Sequence, residues 1–117
     1  AEAFVQGAPG AFPAPQYVRT LATEIGGTGF ALLGDCAHAF PPDVGQGVNS
    51  ALEDVCVLTE ALEASGALRS RSGGDALSSG ALSSDALSQG LEVYQMQRAP
   101  AAEALARSVT SHHMVSR

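Results

Sequence analysis

The chain has no tryptophan and no lysine, and aromatic residues make up only 5% of its 117 positions. Large aromatic side chains carry much of the burial in ordinary cores, so a core built from this sequence must be thin and rest on aliphatic and alanine contacts. Its six basic residues are all arginine (Arg19, Arg69, Arg71, Arg98, Arg107 and Arg117), scattered among enough Asp and Glu to leave a net charge of −6. An acidic chain without a basic stripe excludes nucleic acid and anionic membrane surfaces as partners. No apolar run approaches the roughly 18 residues of a bilayer span, so no membrane segment is expected. Two cysteines, Cys36 and Cys56, are too few for a disulfide framework. They read as small buried thiols in a reducing, intracellular setting. Cys36-Ala37-His38 offers two ligands where a structural zinc takes four, so no metal site is expected. There is no G-x-G-x-x-G fingerprint, P-loop or G-x-S-x-G elbow. The first residues, Ala1-Glu2-Ala3-Phe4, contain neither an initiator Met nor a basic leader, which suggests a start inside a longer reading frame.

What is present falls into three stretches. Residues 1–64 open with a Pro- and Gly-rich connector over 7–15. Residues 16–25 then form either a short helix, with Tyr17, Leu21 and Ile25 on one face, or an irregular lead-in. Gly26-Gly27-Thr28-Gly29 is a turn, and Phe30 to Leu33 is one apolar strand, buried by composition. From Gln46 to Ala64 the spacing of Val48, Leu52, Val55, Leu58 or Thr59, and Leu62 predicts a helix with a single apolar stripe. Asp54, Glu60 and Glu63 fall off that stripe, and Ser65-Gly66 supplies a stop. Residues 65–90 are a Ser-, Gly- and Ala-rich interval with an approximate pentapeptide repeat at 75–89. Leu77, Leu82 and Leu87 recur every five residues, a step that aligns on neither helix nor strand, so this interval reads as a mobile insertion. Residues 91–117 are helical, in a pattern that begins near Leu87 and runs through Leu91, Tyr94, Arg98, Ala101 and Leu105. Pro100 should kink that helix or start a new one. The class is α/β. A lone strand leaves both rows of its backbone groups unpaired, so the chain reads as a fragment of a larger α/β protein or a truncated product.

The chemistry concentrates between Leu32 and Asp54. Asp35 follows the strand, where a carboxylate can accept hydrogen bonds from the hydroxyls of a nucleotide cofactor lodged at the strand ends; alone, it could equally be a turn residue. Pro41 and Pro42 stiffen the connection and remove two donors, which also suits a plain turn. Gly45-Gln46-Gly47 begins the helix, where exposed N–H groups and the helix dipole favour negative charge and glycine leaves room for a flat ring against bare backbone. His38 is the one histidine near the motif; a histidine satisfied within the turn is preferred over a general base. Asn49 and Asp54 read as a helix-start residue and a packing or capping partner.

The pattern Gly34-Asp35-x-Ala37-His38-x-x-x-Pro42-x-x-Gly45-Gln46-Gly47-x-Asn49-x-x-x-Glu53-Asp54 resembles the second flavin-contacting motif of the FAD-dependent aromatic-ring monooxygenases (flavoprotein hydroxylases). Glu53-Asp54 tilts the likeness toward the kynurenine 3-monooxygenase-like branch. Tyr94-x-x-x-Arg98-x-Pro100 looks like the helix that follows in such enzymes. The resemblance implies the C-terminal part of a Rossmann-like FAD-binding domain, with FAD as cofactor, NAD(P)H as co-substrate and a small aromatic substrate. In that family the residue matched by Asp35 holds the ribityl chain, the carbonyl matched by Pro42 faces the oxygen-reaction site, and the amides matched by Val48 and Asn49 approach flavin N1 and O2. The implied cofactor-binding set is Gly34, Asp35, Pro42, Gly45, Gln46, Gly47, Val48 and Asn49, with no catalytic side chain in this chain. The implied reaction is ring hydroxylation with NAD(P)H and O2 through a flavin C4a-hydroperoxide. It would need the N-terminal part of the same enzyme, which grips the FAD pyrophosphate, as a partner. Rival readings are an epoxidase or reductase of the same superfamily and a non-catalytic remnant.

Overall fold

Two glycines decide the first half of the fold. Gly26 and Gly27 both take positive φ, +59° and +82°, the pairing that a two-residue type I′ hairpin turn requires. They join β2 (Ala22–Ile25) to β3 (Thr28–Ala31) as an antiparallel hairpin, with Ile25 opposite Thr28 and Ala22 opposite Ala31. The Leu32 amide extends the ladder by donating to the Leu21 carbonyl at 2.7 Å. A second antiparallel pair joins β1 (Gln16–Tyr17) to β4 (His38–Ala39). The computed structural model describes residues 14–42, 45–68 and 83–115, and among these the sheets are these two small antiparallel pairs, packed with helices.

This corrects the single-strand reading. Residues 16–25 hold two short strands rather than a helix, because the turn glycines return the chain onto Ala22–Ile25 and the extended partner wins over the helical spacing. Nor is the Phe30 strand buried: Phe30 is 53% exposed, since the long C-terminal helix covers the hairpin only in part.

Helix α1 spans Gly47–Ala64, as its spacing predicts. It ends at Gly66, whose φ of +80° lets its N–H turn back to the Glu63 carbonyl. The face it buries is not the expected one. Val48, Leu52 and Val55 are 72%, 61% and 52% exposed, whereas Ser50, Asp54 and Ala61 are buried.

Helix α2 spans Ser84–Val115. Residues 84–90, the end of the interval read as an insertion, are therefore helical, and Leu87 packs on Gly29. The rest of the repeat, with Leu77 and Leu82, lies outside the described residues, as does most of the 7–15 connector. Pro100 neither breaks nor restarts the helix. It lies on the exposed side, where the carbonyl of exposed Met96, left without its donor, can bond water.

The core is thin, as composition requires. Leu21, Ala37, Ala61 and Tyr94 form its centre, with Val57, Leu58, Val93 and Ala99 packed around them. Small residues let the helices close. A Cβ on Gly90 would come within 2.8 Å of Leu62 and Ser65 side-chain atoms and 3.2 Å of the Ala61 carbonyl. Gln95 ties α2 to the sheet: its side-chain carbonyl accepts from the Leu21 and Ala22 amides, and its NH2 donates to the Arg19 carbonyl. Both cysteines are exposed, not buried. Cys36 sits on the turn after β3, and Cys56 lies on α1.

Candidate functional site

The strand leaving the hairpin is fixed residue by residue. The Tyr94 hydroxyl donates to the Leu32 carbonyl at 2.7 Å. Two residues on, Gly34 is buried with φ +60°, and a Cβ there would stand 3.3 Å from the Ala51 side chain. Both the left-handed backbone and the close approach to α1 require glycine. Gly34–Cys36 forms a single 3-10 turn, closed by the Ala37 amide on the Gly34 carbonyl at 2.8 Å. Asp35 is carried on the outer side of that turn, exposed.

What holds the turn is a buried polar cluster centred on Asp54, which is 0% exposed. Its Oδ2 accepts from the Gly34 amide at 2.8 Å and from His38 Nε2 at 2.6 Å; its Oδ1 accepts from Arg98 Nε at 2.7 Å. The Arg98 guanidinium, 3% exposed, also donates to the Ser50 hydroxyl and carbonyl at 3.1 and 3.3 Å and pairs with Glu53 at 3.0 Å. Ser50, Glu53 and Asp54 are one turn of α1 at i, i+3 and i+4, so a single planar fork reads one helical face. A carboxylate accepting at both oxygens fixes the His38 proton on Nε2. His38 Nδ1 is buried without a partner among the described residues, and the ring stacks on Phe40 with centroids 5.1 Å apart. The histidine thus serves the turn, as the sequence suggests. Burial pushes the Tyr94 phenol up to about 12, with the Asp54 carboxylate adding to the shift and Arg98 opposing it.

The second half of the site is the start of α1. Pro41 is buried and Pro42 exposed, and the Pro42 carbonyl accepts the Gly45 amide at 3.1 Å. Gly45 turns the chain with φ +64°, and no atom of the described residues lies within 4 Å of where a Cβ on Gly45 or Gly47 would stand. Gln46 occupies the N-cap without a side-chain hydrogen bond, and no acidic residue sits in the first turn. The amides of Gly47, Val48 and Asn49 therefore begin the helix without a capping side chain, an arrangement that suits an electron-rich ligand edge.

A family model described as FAD binding domain matches residues 19–109. The chain belongs to that family. Its members are typically flavin-dependent oxidoreductases, and the cofactor is FAD. No curated protein and no solved structure matches the chain.

The donor set fits that cofactor. Asp35 offers a carboxylate with no partner among the described residues, suited to hydroxyls, and the uncapped amides with open space at Gly45 and Gly47 suit a flat ring with acceptor atoms. The structure brings Gly34 and Asp35 against α1 through Asp54 and Ala51, and it groups Gly45, Gln46, Gly47, Val48 and Asn49 at the helix start, with Pro42 leading in. Among the described residues no three His, Cys, Asp or Glu side chains gather as a metal site, and no helix is long and apolar enough to cross a membrane. Sequence reasoning read Asp54 as a packing or capping partner, which its burial and its bond to the Gly34 amide bear out, but missed the roles of Ser50 and Arg98. The signal was available in Tyr94-x-x-x-Arg98, two large polar-tipped residues one turn apart on a helix facing Glu53-Asp54.

Proposed function

We propose that this chain forms the flavin-facing part of a Rossmann-like FAD-binding domain in a monooxygenase that hydroxylates a small aromatic substrate, similar to kynurenine 3-monooxygenase. The observation that carries the reading is the pairing of Asp35, exposed and without a partner among the described residues, with an uncapped α1 start, both supported by a buried polar cluster. When bound, FAD supplies the redox chemistry, accepting electrons from NAD(P)H and activating O2 for insertion of one oxygen atom. The residues of this chain bind and orient. Asp35 accepts hydrogen bonds from the ribityl hydroxyls. Gly45 and Gly47 leave the ring room against bare backbone, and the amides of Val48 and Asn49, with the dipole of α1 behind them, stabilise negative charge on the ring's pyrimidine edge. Pro42 is exposed beside them, and its carbonyl, which accepts the Gly45 amide, has a second lone pair for the reacting side. The pyrophosphate is held by an N-terminal segment of the same enzyme carrying the glycine fingerprint that this sequence lacks.

The test is FAD titration of the full natural protein, followed by flavin fluorescence, with Asp35→Asn beside the wild type. A hydrogen bond to a charged group is worth about 1.5–3 kcal/mol, so the substitution should raise the FAD Kd roughly ten-fold or more. The wild type should also consume NAD(P)H and O2 faster when an electron-rich aromatic compound is added. Unchanged FAD affinity in Asp35→Asn rejects the site; tight FAD binding without aromatic-stimulated turnover rejects the hydroxylase assignment.

A further inference from the structure

Tyr94 and Arg98 lie one helical turn apart on α2, and both reach the same short segment. Tyr94 grips the Leu32 carbonyl directly; Arg98 grips Asp54, which grips the Gly34 amide. The guanidinium also holds Ser50 and Glu53, so the turn carrying Asp35 and the first part of α1 are read by one rigid group. None of these five side chains is among the residues that face the cofactor. We propose that Asp54 and Arg98 are positioning residues for the flavin site, fixing the Asp35 turn against the start of α1 so that the carboxylate and the helix amides meet one ligand together. This inference rests on the reading of Asp35 given above.

The geometry explains why a buried charged pair is used. An apolar contact at Asp54 would hold the turn near the helix but would leave its register free. Two carboxylate oxygens with three donors have one arrangement, and that arrangement sets the position of Gly34 to within a hydrogen-bond length. Apolar packing supplies the rest of the turn's neighbours, through Ala37 and Ala51.

The test is a double-mutant cycle on FAD affinity in the full natural protein, using Asp35→Asn, Asp54→Asn and the double variant, with unfolding midpoints measured in parallel. Leu91→Ala, buried against Gly29 and away from the cluster, serves as the stability control. By analogy with supporting residues around metal sites, Asp54→Asn should weaken FAD binding about ten-fold or more. Because Asp54 acts through the Asp35 turn, the double variant should bind little worse than the weaker single variant. Leu91→Ala should lose stability while keeping its FAD affinity within about two-fold of wild type. If Asp54→Asn does not fold, Arg98→Lys replaces it. That variant keeps a cation near Asp54 but loses the fork, and it should show a smaller loss coupled to Asp35 in the same way. Losses that multiply in the double variant, or a Leu91→Ala defect as large as that of Asp54→Asn, overturn the positioning role and leave the Asp35 reading intact. An Asp35→Asn protein with unchanged affinity removes both.

Discussion

On one side of α1, Ser50, Asp54 and Ala61 are buried against α2 and the Gly34 turn; on the other, Val48, Leu52 and Val55 stand in solvent. Burying a Val or Leu side chain is worth about 1.5–3 kcal/mol, so the helix forgoes several kcal/mol of apolar burial in taking this orientation. What it gains is a set of contacts that fit only one way. The Arg98 fork spans Ser50, Glu53 and Asp54, Gly34 fits against Ala51, and Gly90 fits against Leu62 and Ser65. A buried ion pair is weak evidence for net stability, whereas its hydrogen-bond geometry is demanding. The contrast between the faces indicates that the protein uses its polar face to set positions and leaves its apolar face outside those contacts.

The comparison breaks most sharply at Asp54. Asp54→Leu leaves the buried Arg98 with only the exposed Glu53 as a carboxylate, His38 with only the Ser50 hydroxyl at 3.4 Å and the Gly34 amide without its acceptor, and should cost about 3–5 kcal/mol in denaturant unfolding. Adding Arg98→Leu should recover part of that loss, because the charge that lost its buried partner is gone. A single variant within 1 kcal/mol of wild type, on the order of an exposed pair, would mean that the cluster is solvated and fixes nothing.

How much of this was legible in the sequence follows from which physical signal each part carries. The length and place of α1 and its glycine stop are local, and spacing reports them. Its orientation is not local. Periodicity marked Val48, Leu52 and Val55 as the inner face because apolar residues usually go inward, and Arg98, 44 positions away from Asp54, overrode it. The hairpin was hidden for a similar reason. Tyr17, Leu21 and Ile25 match a helical step, and only the pairing across Gly26-Gly27 makes residues 22–25 a strand. The backbone of the Gly34 to Gly47 stretch was the most legible feature, because glycines and prolines at fixed spacing are backbone requirements written in residue type. Gly34 and Gly45 do take left-handed backbone. The support beneath that motif was quoted in Glu53-Asp54 and Tyr94-x-x-x-Arg98, but its meaning needs the two helices side by side.

Tyr94 sharpens the comparison through pH. Its phenol rises from the ordinary 10.0 to about 12, chiefly through burial. The unfolded chain therefore releases the proton first as pH climbs. The stabilisation is fully present below about pH 10 and lost between there and about 12, by roughly 2–3 kcal/mol in all. Tyr94→Phe should remove that alkaline slope while costing on the order of 1 kcal/mol at neutral pH for the hydroxyl on Leu32. Unfolding midpoints at several alkaline pH values decide it; an unchanged slope in the Phe variant would assign the alkaline transition to another group.

The smallest expected effect lies on the opposite face and is the sharpest test of the contrast. Leu52 is 61% exposed and sits in the middle of the stripe that periodicity marked as core. Leu52→Gln keeps a straight, helix-favouring side chain of similar length, so propensity changes little. If the polar face alone orients α1, the unfolding free energy of this chain should move by no more than about 0.5 kcal/mol, as for other surface substitutions. Buried at the centre of a stripe, the same leucine would instead lose about 2 kcal/mol or more, from the apolar area removed and the amide left without partners. Urea unfolding of the two forms separates the cases, since the midpoint should stay fixed in one and fall clearly in the other while the slope stays constant. A large loss would put the stripe back inside and make Asp54 a consequence of the helix's orientation instead of its cause.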